Sequence, residues 1–245
     1  SDADIETLRW LKQQVDSGVQ ISQLALELKE MTALGNTPAL PEEGYREPKQ
    51  TSESFPFSET IERLYKSLKE HDEANASAIF NQAADSLPLI QLFEQLIIPM
   101  LIRIGEEWYT GKITVATEHF ASTFIRARLM LIYQRLPLKR KGLRIIVGGA
   151  PDDLHELGPL MLAILLRDAG YAIEFLGPDN PLVDLAEYAA EENIRMVILS
   201  ATTLESAMSL GQFKQILENK SPSLIFAYGG GAFTYKPELV QTTPG

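Results

Sequence analysis

No cysteine occurs in the 245 residues, so the chain can form neither a disulfide nor a thiolate metal site. Histidine is almost as scarce, with His71, His119 and His155 the only three. There is no uninterrupted apolar run of membrane-spanning length: the most hydrophobic stretch, Leu96 to Ile104, is short and broken by Pro99 and Arg103. No secretory signal is evident either. Cations are outnumbered, 22 Lys and Arg against 33 Asp and Glu for a net charge of -11, which excludes a general phosphate-binding surface. Any nucleic-acid contact must be local or lie outside these residues. The expectation is a soluble, cytoplasmic protein with no membrane partner. Its 45% apolar content is ordinary for globular chains, and its length suits two modest domains.

Periodicity divides the chain into four parts. Residues 1–31 read as two short amphipathic helices with a turn at Asp16-Ser-Gly18. Periodicity fails over 32–56, where Pro38, Pro41, Pro48 and Pro56 mark a linker. Helical patterning returns over 57–137 in four segments, Ser58–Glu70, Asp72–Asp85, Pro88–Trp108 and Thr114–Leu136. Ser58, Asp72 and Thr114 suit N-caps, Pro88 a first turn and Gly111 a stop. Short connections make the segments antiparallel neighbours, hence a four-helix bundle. From residue 138 to 245 strands near Leu143, Tyr171, Arg195 and Ser223 alternate with helices, the pattern of a parallel sheet covered on both faces. The basic cluster Lys139-Arg-Lys141, with Arg126, Arg128, Arg135 and Arg144 around it, reads as a solvated helix cap and connector.

The most informative stretch, Pro151-Asp-Asp-Leu-His-Glu-Leu-Gly158, lies between the first strand and the following helix. In open α/β sheets, loops beyond the carboxyl ends of strands are where ligands sit, which places His155 at the ligand edge. Asp153-x-His155-x-x-Gly158 has two readings. A neutral imidazole can ligate a metal while a carboxylate two residues away takes the proton of its other nitrogen. Alternatively, the histidine is a loop residue and Asp153 an N-cap. Between Gly158 and Ser200-Ala-Thr202 lie 41 residues, and between Thr202 and Gly229-Gly230 lie 26, both later motifs falling at strand ends.

These three motifs, in order and at these intervals, resemble the cobalamin-binding domain shared by methionine synthase, corrinoid methyltransferase subunits and cobalamin-dependent mutases. The resemblance implies a flavodoxin-like (Rossmann-like) sheet that binds cobalamin. It makes His155 the lower axial ligand of cobalt, Asp153 its hydrogen-bonding partner and Gly158 the clearance. Ser200 becomes a contact to the nucleotide tail, and Gly229 and Gly230 the floor of the tail pocket. Thr202 stands where leucine is usual, a departure that bears on the tail contact.

A second constellation, Trp108-x9-Glu118-His119, straddles the turn between the third and fourth bundle segments. One reading is a tryptophan closing the bundle end, with Glu118 favourable near a helix N-terminus. The other comes from its position ahead of a cobalamin domain. There it resembles the CarH/LitR group of MerR-family, light-responsive transcriptional regulators, and residues 1–31 look like the latter half of the MerR-type winged-helix domain. The recognition helix of that domain lies outside these residues. The resemblance implies that the bundle caps the upper face of adenosylcobalamin, with Trp108, Glu118 and His119 at the adenosyl group. In well-known members a histidine follows the tryptophan and takes the cobalt after light cleaves its carbon bond; here that residue is Tyr109. His71, reading as a solvated helix end, leaves His119 as the substitute.

The expected function is therefore that of a cobalamin-dependent transcriptional regulator and photoreceptor, not an enzyme. Adenosylcobalamin would favour a homo-oligomer on operator DNA in the dark, and photolysis would dissolve it. Two alternatives stand beside it. One is a regulator of the same fold that senses cobalamin, another tetrapyrrole or a partner protein without cobalt photochemistry, an option that Tyr109 raises. The other is a corrinoid methyl-carrier subunit, which needs an upper face open to its methyltransferase.

Overall fold

The computed structural model describes residues 55–138, 143–220, 223–243 and 245, so the expected winged-helix remnant and nearly all of the linker lie outside the described residues. What is described divides into a helical unit and an α/β unit, the division falling between Ile132 and Tyr133.

The helical unit contains α1 (Phe57–Lys69), α2 (Glu73–Ser86), α3 (Leu89–Gln91), a π-helical stretch (Leu92–Ile97), α4 (Ile98–Tyr109) and all but the last three residues of α5 (Val115–Arg135). The three middle elements run on without a break, so the four expected helical segments are present. Each contributes buried side chains to one core: Leu64 and Leu68, Ile79 and Phe80, Leu92 and Met100, Phe124 and Ile125. Asp72 caps α2 as expected, its carboxylate accepting the Asn75 N–H at 3.0 Å. Thr114 likewise accepts the Thr117 N–H at 3.2 Å ahead of α5. Gly111 closes α4 at φ +72°, a conformation in which a Cβ is strained.

Two expectations need correction here. Ser58 is not an N-cap: α1 starts one residue earlier, after Pro56, whose carbonyl accepts the Thr60 N–H and hydroxyl, both at 2.9 Å. The third segment is also not a plain α-helix. Within an α-helix, the ring of Pro99 would press on the carbonyl of Gln95 and supply no N–H to it. The chain opens into a wider turn just before, where the N–H of Ile98 reaches back five residues to Phe93.

In the α/β unit, strands β1 (Arg144–Gly149), β2 (Ala172–Gly177), β3 (Met196–Ser200) and β4 (Ile225–Gly229) form one parallel sheet in the order β2-β1-β3-β4. Between them run α6 (Leu157–Asp168), α7 (Leu182–Glu191), α8 (Leu204–Ser209) and α9 (Phe213–Lys220), with α10 (Gly231–Tyr235) after β4. The strands are apolar on both faces, and alternate residues feed two cores. Ile145, Val147, Met196 and Ile198 pack with Ala163 of α6, while Ile146, Val197, Leu199 and Phe226 pack with Leu185 of α7 and Phe213 of α9. Helices therefore cover both faces of a doubly wound, flavodoxin-like sheet, as expected.

Of the basic cluster expected to be a solvated helix cap and connector, Lys139, Arg140 and Lys141 lie outside the described residues, Arg135 is exposed in the last turn of α5 as expected, and Arg128 and Arg144 are instead engaged by other side chains. Arg144 bonds Glu174 and Glu192, and Arg128 donates to the Ser77 hydroxyl at 2.6 Å with its guanidinium over the Phe124 ring.

Candidate functional site

Register brings the carboxyl ends of three strands into one row, Gly149 beside Ser200 and Ser200 beside Gly229. The loop after β1 leaves from this row. Its backbone passes Asp152 at φ +58° and is held from the next strand's loop, where Asp179 accepts the Asp152 N–H at 2.9 Å and gives its own N–H to the Asp153 carbonyl at 3.1 Å. Beneath it the buried Asn180 amide donates to the carbonyls of Gly149 and Gly177 at 2.9 and 3.0 Å. A side chain at Gly148 would collide with that amide, a Cβ falling 2.7 Å from its nitrogen.

The loop turns the Asp153 carboxylate fully inward, 0% exposed, while the His155 side chain stays 68% exposed. A buried carboxylate must be satisfied by donors. Asp153 accepts the His155 backbone N–H at 3.0 Å, the His155 Nδ1–H at 2.9 Å, and the Ser206 hydroxyl at 3.0 Å. It also accepts the Thr202 backbone N–H and the Thr202 hydroxyl, the latter 2.8 and 2.9 Å from its two oxygens. Burial pushes the Asp153 carboxyl up, but these bonds from Thr202 and His155 outweigh it and hold the group down at about 2. It is thus an anion that can only accept, which assigns the ring proton of His155 to Nδ1 and leaves Nε2 as the lone-pair nitrogen. This is the arrangement in which a histidine ligates a metal with a carboxylate behind it. Asp153 does not cap the following helix: α6 has Glu156 at its N-cap, with no side-chain cap bond.

The motif glycines differ in what they do. At Gly158, in the first turn of α6, a Cβ would meet no atom within 4 Å, so nothing in the folded chain demands glycine there. The open space beside the histidine loop fits a bulky group lying against it. Leu154, Leu204 and Met208, on the loops and helix that carry His155 and Thr202, are exposed apolar side chains of the kind a macrocycle would cover. At Gly230, by contrast, φ is +111° and a Cβ would stand 2.3 Å from the Ala201 carbonyl oxygen, so the fold itself requires the glycine. The Gly229 carbonyl accepts the Ala201 N–H at 2.8 Å, and the Ser200 carbonyl accepts the Ala150 N–H at 2.8 Å.

On the helical unit, Trp108 ends α4 half exposed and Tyr109 beside it is 87% exposed. The turn of helix before them is pinned through Glu107. Its carboxylate accepts from Tyr65 and from Arg103 Nε at 3.2 Å, with Lys69 at 3.9 Å. Burial, then the bond to Glu107, push the Tyr65 phenol up to about 12, and the Tyr65 bond first among the causes holds Glu107 low. Glu118 and His119 form a pair, 3.6 Å between Oε2 and Nε2, with Ser122 donating to the other Glu118 oxygen. Among the described residues no hydrogen bond or ring contact joins Trp108 to that pair. His71 is not simply solvated: its ring stacks on Phe120 at 4.5 Å and 10°, with Nε2 3.2 Å from the Thr117 hydroxyl. His71, His119, Phe120 and Arg128 contribute to the lining of a cavity of about 470 Å³ on this unit.

The structure thus joins Asp153, His155 and Thr202, aligns Ser200 with Gly229, and pairs Glu118 with His119. Sequence reasoning missed Ser206, which is 1% exposed and sits 53 positions from the carboxylate it binds. The signal that could have found it is the Thr203-x-x-Ser206 spacing, a capping box at the start of α8. Asp179 and Asn180 were likewise missed.

Two families, each described as a B12 binding domain, match residues 60–133 and 142–245. The HTH-type transcriptional repressor CarH of Myxococcus xanthus is 28% identical over 233 residues, covering 95% of this chain and 76% of that protein. The repressor CarA of the same organism is 27% identical over 158 residues, and the chain spans only 52% of its length. The dimethylamine corrinoid protein of Methanosarcina barkeri is 25% identical over 54% of this chain and 65% of that protein. Among solved structures, the monomethylamine corrinoid protein of Methanosarcina barkeri has the same fold, with a TM-score of 0.60 at 18% identity over 71% of this chain and 85% of that one.

Proposed function

We propose that the chain, whose two described units each match a family described as a B12 binding domain, is a cobalamin-dependent transcriptional regulator that uses adenosylcobalamin as a light-sensitive cofactor. The observation that carries the reading is the buried Asp153 anion holding the proton on His155 Nδ1, beside the open space at Gly158. In this reading Nε2 of His155 is the cobalt ligand, Asp153 orients the ring, and Gly158 leaves clearance. Ser200, Thr202, Gly229 and Gly230 belong to the edge that receives the nucleotide tail. Trp108, Glu118 and His119 contact the upper ligand. When bound, adenosylcobalamin supplies a cobalt–carbon bond that visible light breaks. Similarity to the repressors CarH and CarA supports regulation over catalysis, with operator DNA as a partner; in this reading the chain also associates with further copies of itself. In this reading the chain works in the cytoplasm; no described helix is long and apolar enough to cross a membrane.

Similarity to the dimethylamine corrinoid protein supports a second reading, a carrier of methyl groups on cobalt. Tyr109, exposed where light sensors of this group carry histidine, supports a third, a regulator whose input is not light. One experiment separates them: reconstitute the purified protein with adenosylcobalamin and record its absorption spectrum and elution volume in the dark and after green light, with His155→Ala alongside. The light-switch reading expects uptake that depends on His155 and a change in both spectrum and elution. Uptake with no response of the assembly to light overturns photoreception in favour of the other two readings. Turnover with a methyl donor and a partner methyltransferase then selects the carrier. No uptake overturns all cobalamin readings.

A further inference from the structure

The hydroxyl of Thr202 touches both members of the Asp153–His155 pair. It lies 2.8 and 2.9 Å from the two carboxylate oxygens and 2.7 Å from His155 Nδ1. A hydroxyl has one proton to give and an oxygen that accepts. The ionised carboxylate only accepts, so the Thr202 proton goes to Asp153. The Nδ1 proton then faces two acceptors, the carboxylate at 2.9 Å and the hydroxyl oxygen at 2.7 Å.

We propose that Thr202 is a positioning residue that divides the Nδ1–H of His155 between Asp153 and its own hydroxyl, fixing the ring plane while tempering the pull of the carboxylate. The carboxylate and the hydroxyl oxygen compete for one proton. A ligating histidine gains basicity at its free nitrogen as its other N–H is drawn toward a carboxylate. Thr202 reduces that draw twice. Its proton occupies a carboxylate already engaged by two backbone N–H groups and by Ser206, and its oxygen takes a share of the Nδ1–H. An apolar side chain at 202 could do neither, although the Thr202 backbone N–H would still reach Asp153. Two acceptors in different directions also hold the ring against rotation, where one would let it swing. The consequence for metal binding rests on His155 being the ligand; the consequence for the imidazole itself does not.

The test uses the full chain without cofactor, labelled with 15N-histidine, in a buffer alkaline enough for a neutral ring. Three histidines give three ring systems, and His155→Gln assigns the one in question. The expected wild-type result is a neutral His155 protonated at Nδ1. In Thr202→Val the Nδ1 proton resonance moves downfield, because the whole bond now goes to the carboxylate, while strand amide resonances stay in place. Thr202→Ser returns it. Thr202→Ala replaces the valine variant if that does not fold. An unmoved or upfield Nδ1 proton, or a serine variant that fails to restore it, overturns the proposal. Hydroxocobalamin added to each sample distinguishes the two claims. A downfield shift without cobalamin uptake by the wild type keeps the positioning role and removes the cofactor reading. Uptake without the shift does the reverse.

Discussion

Replacing Asp153 by asparagine keeps the shape of the buried group and removes its charge. The carboxyl sits at about 2 instead of 3.8, a depression worth about 2 kcal/mol in favour of the folded state at neutral pH. Because the folded value is the lower one, this stabilisation is complete above the unfolded value near 4 and disappears as the pH falls toward 2. Asparagine never has it. Its amide oxygen must also serve donors that now share two carboxylate oxygens, including the backbone N–H groups of His155 and Thr202. Leaving one of these buried donors unpaired costs a further ~1–3 kcal/mol. The expected loss at pH 7 is about 3–5 kcal/mol, and the gap to the wild type should narrow by roughly 2 kcal/mol between pH 5 and pH 2. Hydrogen exchange of the β1 and β3 amides in the full-length chain measures both, since these strands carry the site. Equal protection in the two proteins at pH 7, or a gap that stays constant on acidification, would refute the argument that an ionised Asp153 holds this edge together.

Other outcomes follow from the glycines and from Tyr65. Gly158→Leu should fold as well as the wild type or better, gaining ~0.5–1 kcal/mol of helix propensity, yet lose cobalamin binding at least tenfold by titration; unimpaired binding would show that the space is not used. Gly230→Ala should lower stability by about 3 kcal/mol or more in a urea melt, since φ is +111° and the new Cβ meets the Ala201 carbonyl. The phenol of Tyr65, pushed up to about 12, should be among the last of the 8 tyrosines to ionise in an ultraviolet pH titration. Its contribution to stability is whole below pH 10 and lost as the pH rises toward 12, and Tyr65→Phe should cost ~1–3 kcal/mol at pH 7 by leaving Glu107 short of a donor.

Much of the architecture was legible because its signals are local. Ile145 to Val147 and Met196 to Leu199 are apolar at every position, as strands covered on both faces must be, and Asp72, Thr114 and Gly111 mark helix ends by their own chemistry. The histidine loop was legible for the same reason: Asp153 and His155 are two residues apart, so their pairing is a short-range matter. What escaped is what depends on distant parts of the chain. Thr202 and Ser206 reach Asp153 across 49 and 53 positions, and no local pattern announces a serine that will be buried against a carboxylate. Asn180 was hidden by its second partner, for besides the nearby Gly177 carbonyl its amide binds that of Gly149, 31 positions away on another strand. Ser58 misled because capping preference was weighed without Pro56, whose carbonyl takes the Thr60 N–H. Pro99 was taken only as an interruption of an apolar run, whereas it marks the place where the helix changes its winding.

That change of winding acts as an angular offset. Each residue advances an α-helix by about 100°, so the extra residue taken up between Leu92 and Ile97 turns everything downstream relative to everything upstream. The stretch itself opens on Leu92 and Phe93, both buried in the core; downstream, the last turn of α4 carries the half-exposed Trp108 and the exposed Tyr109. If regular winding resumed over the same residues, the aromatic pair would swing about a quarter turn around the axis, whereas a one-residue deletion within the π stretch would remove the extra residue and leave the pair facing as it does. The direction in which this protein presents its two aromatic side chains is set ten residues and more before them, by a defect that Pro99 keeps in place.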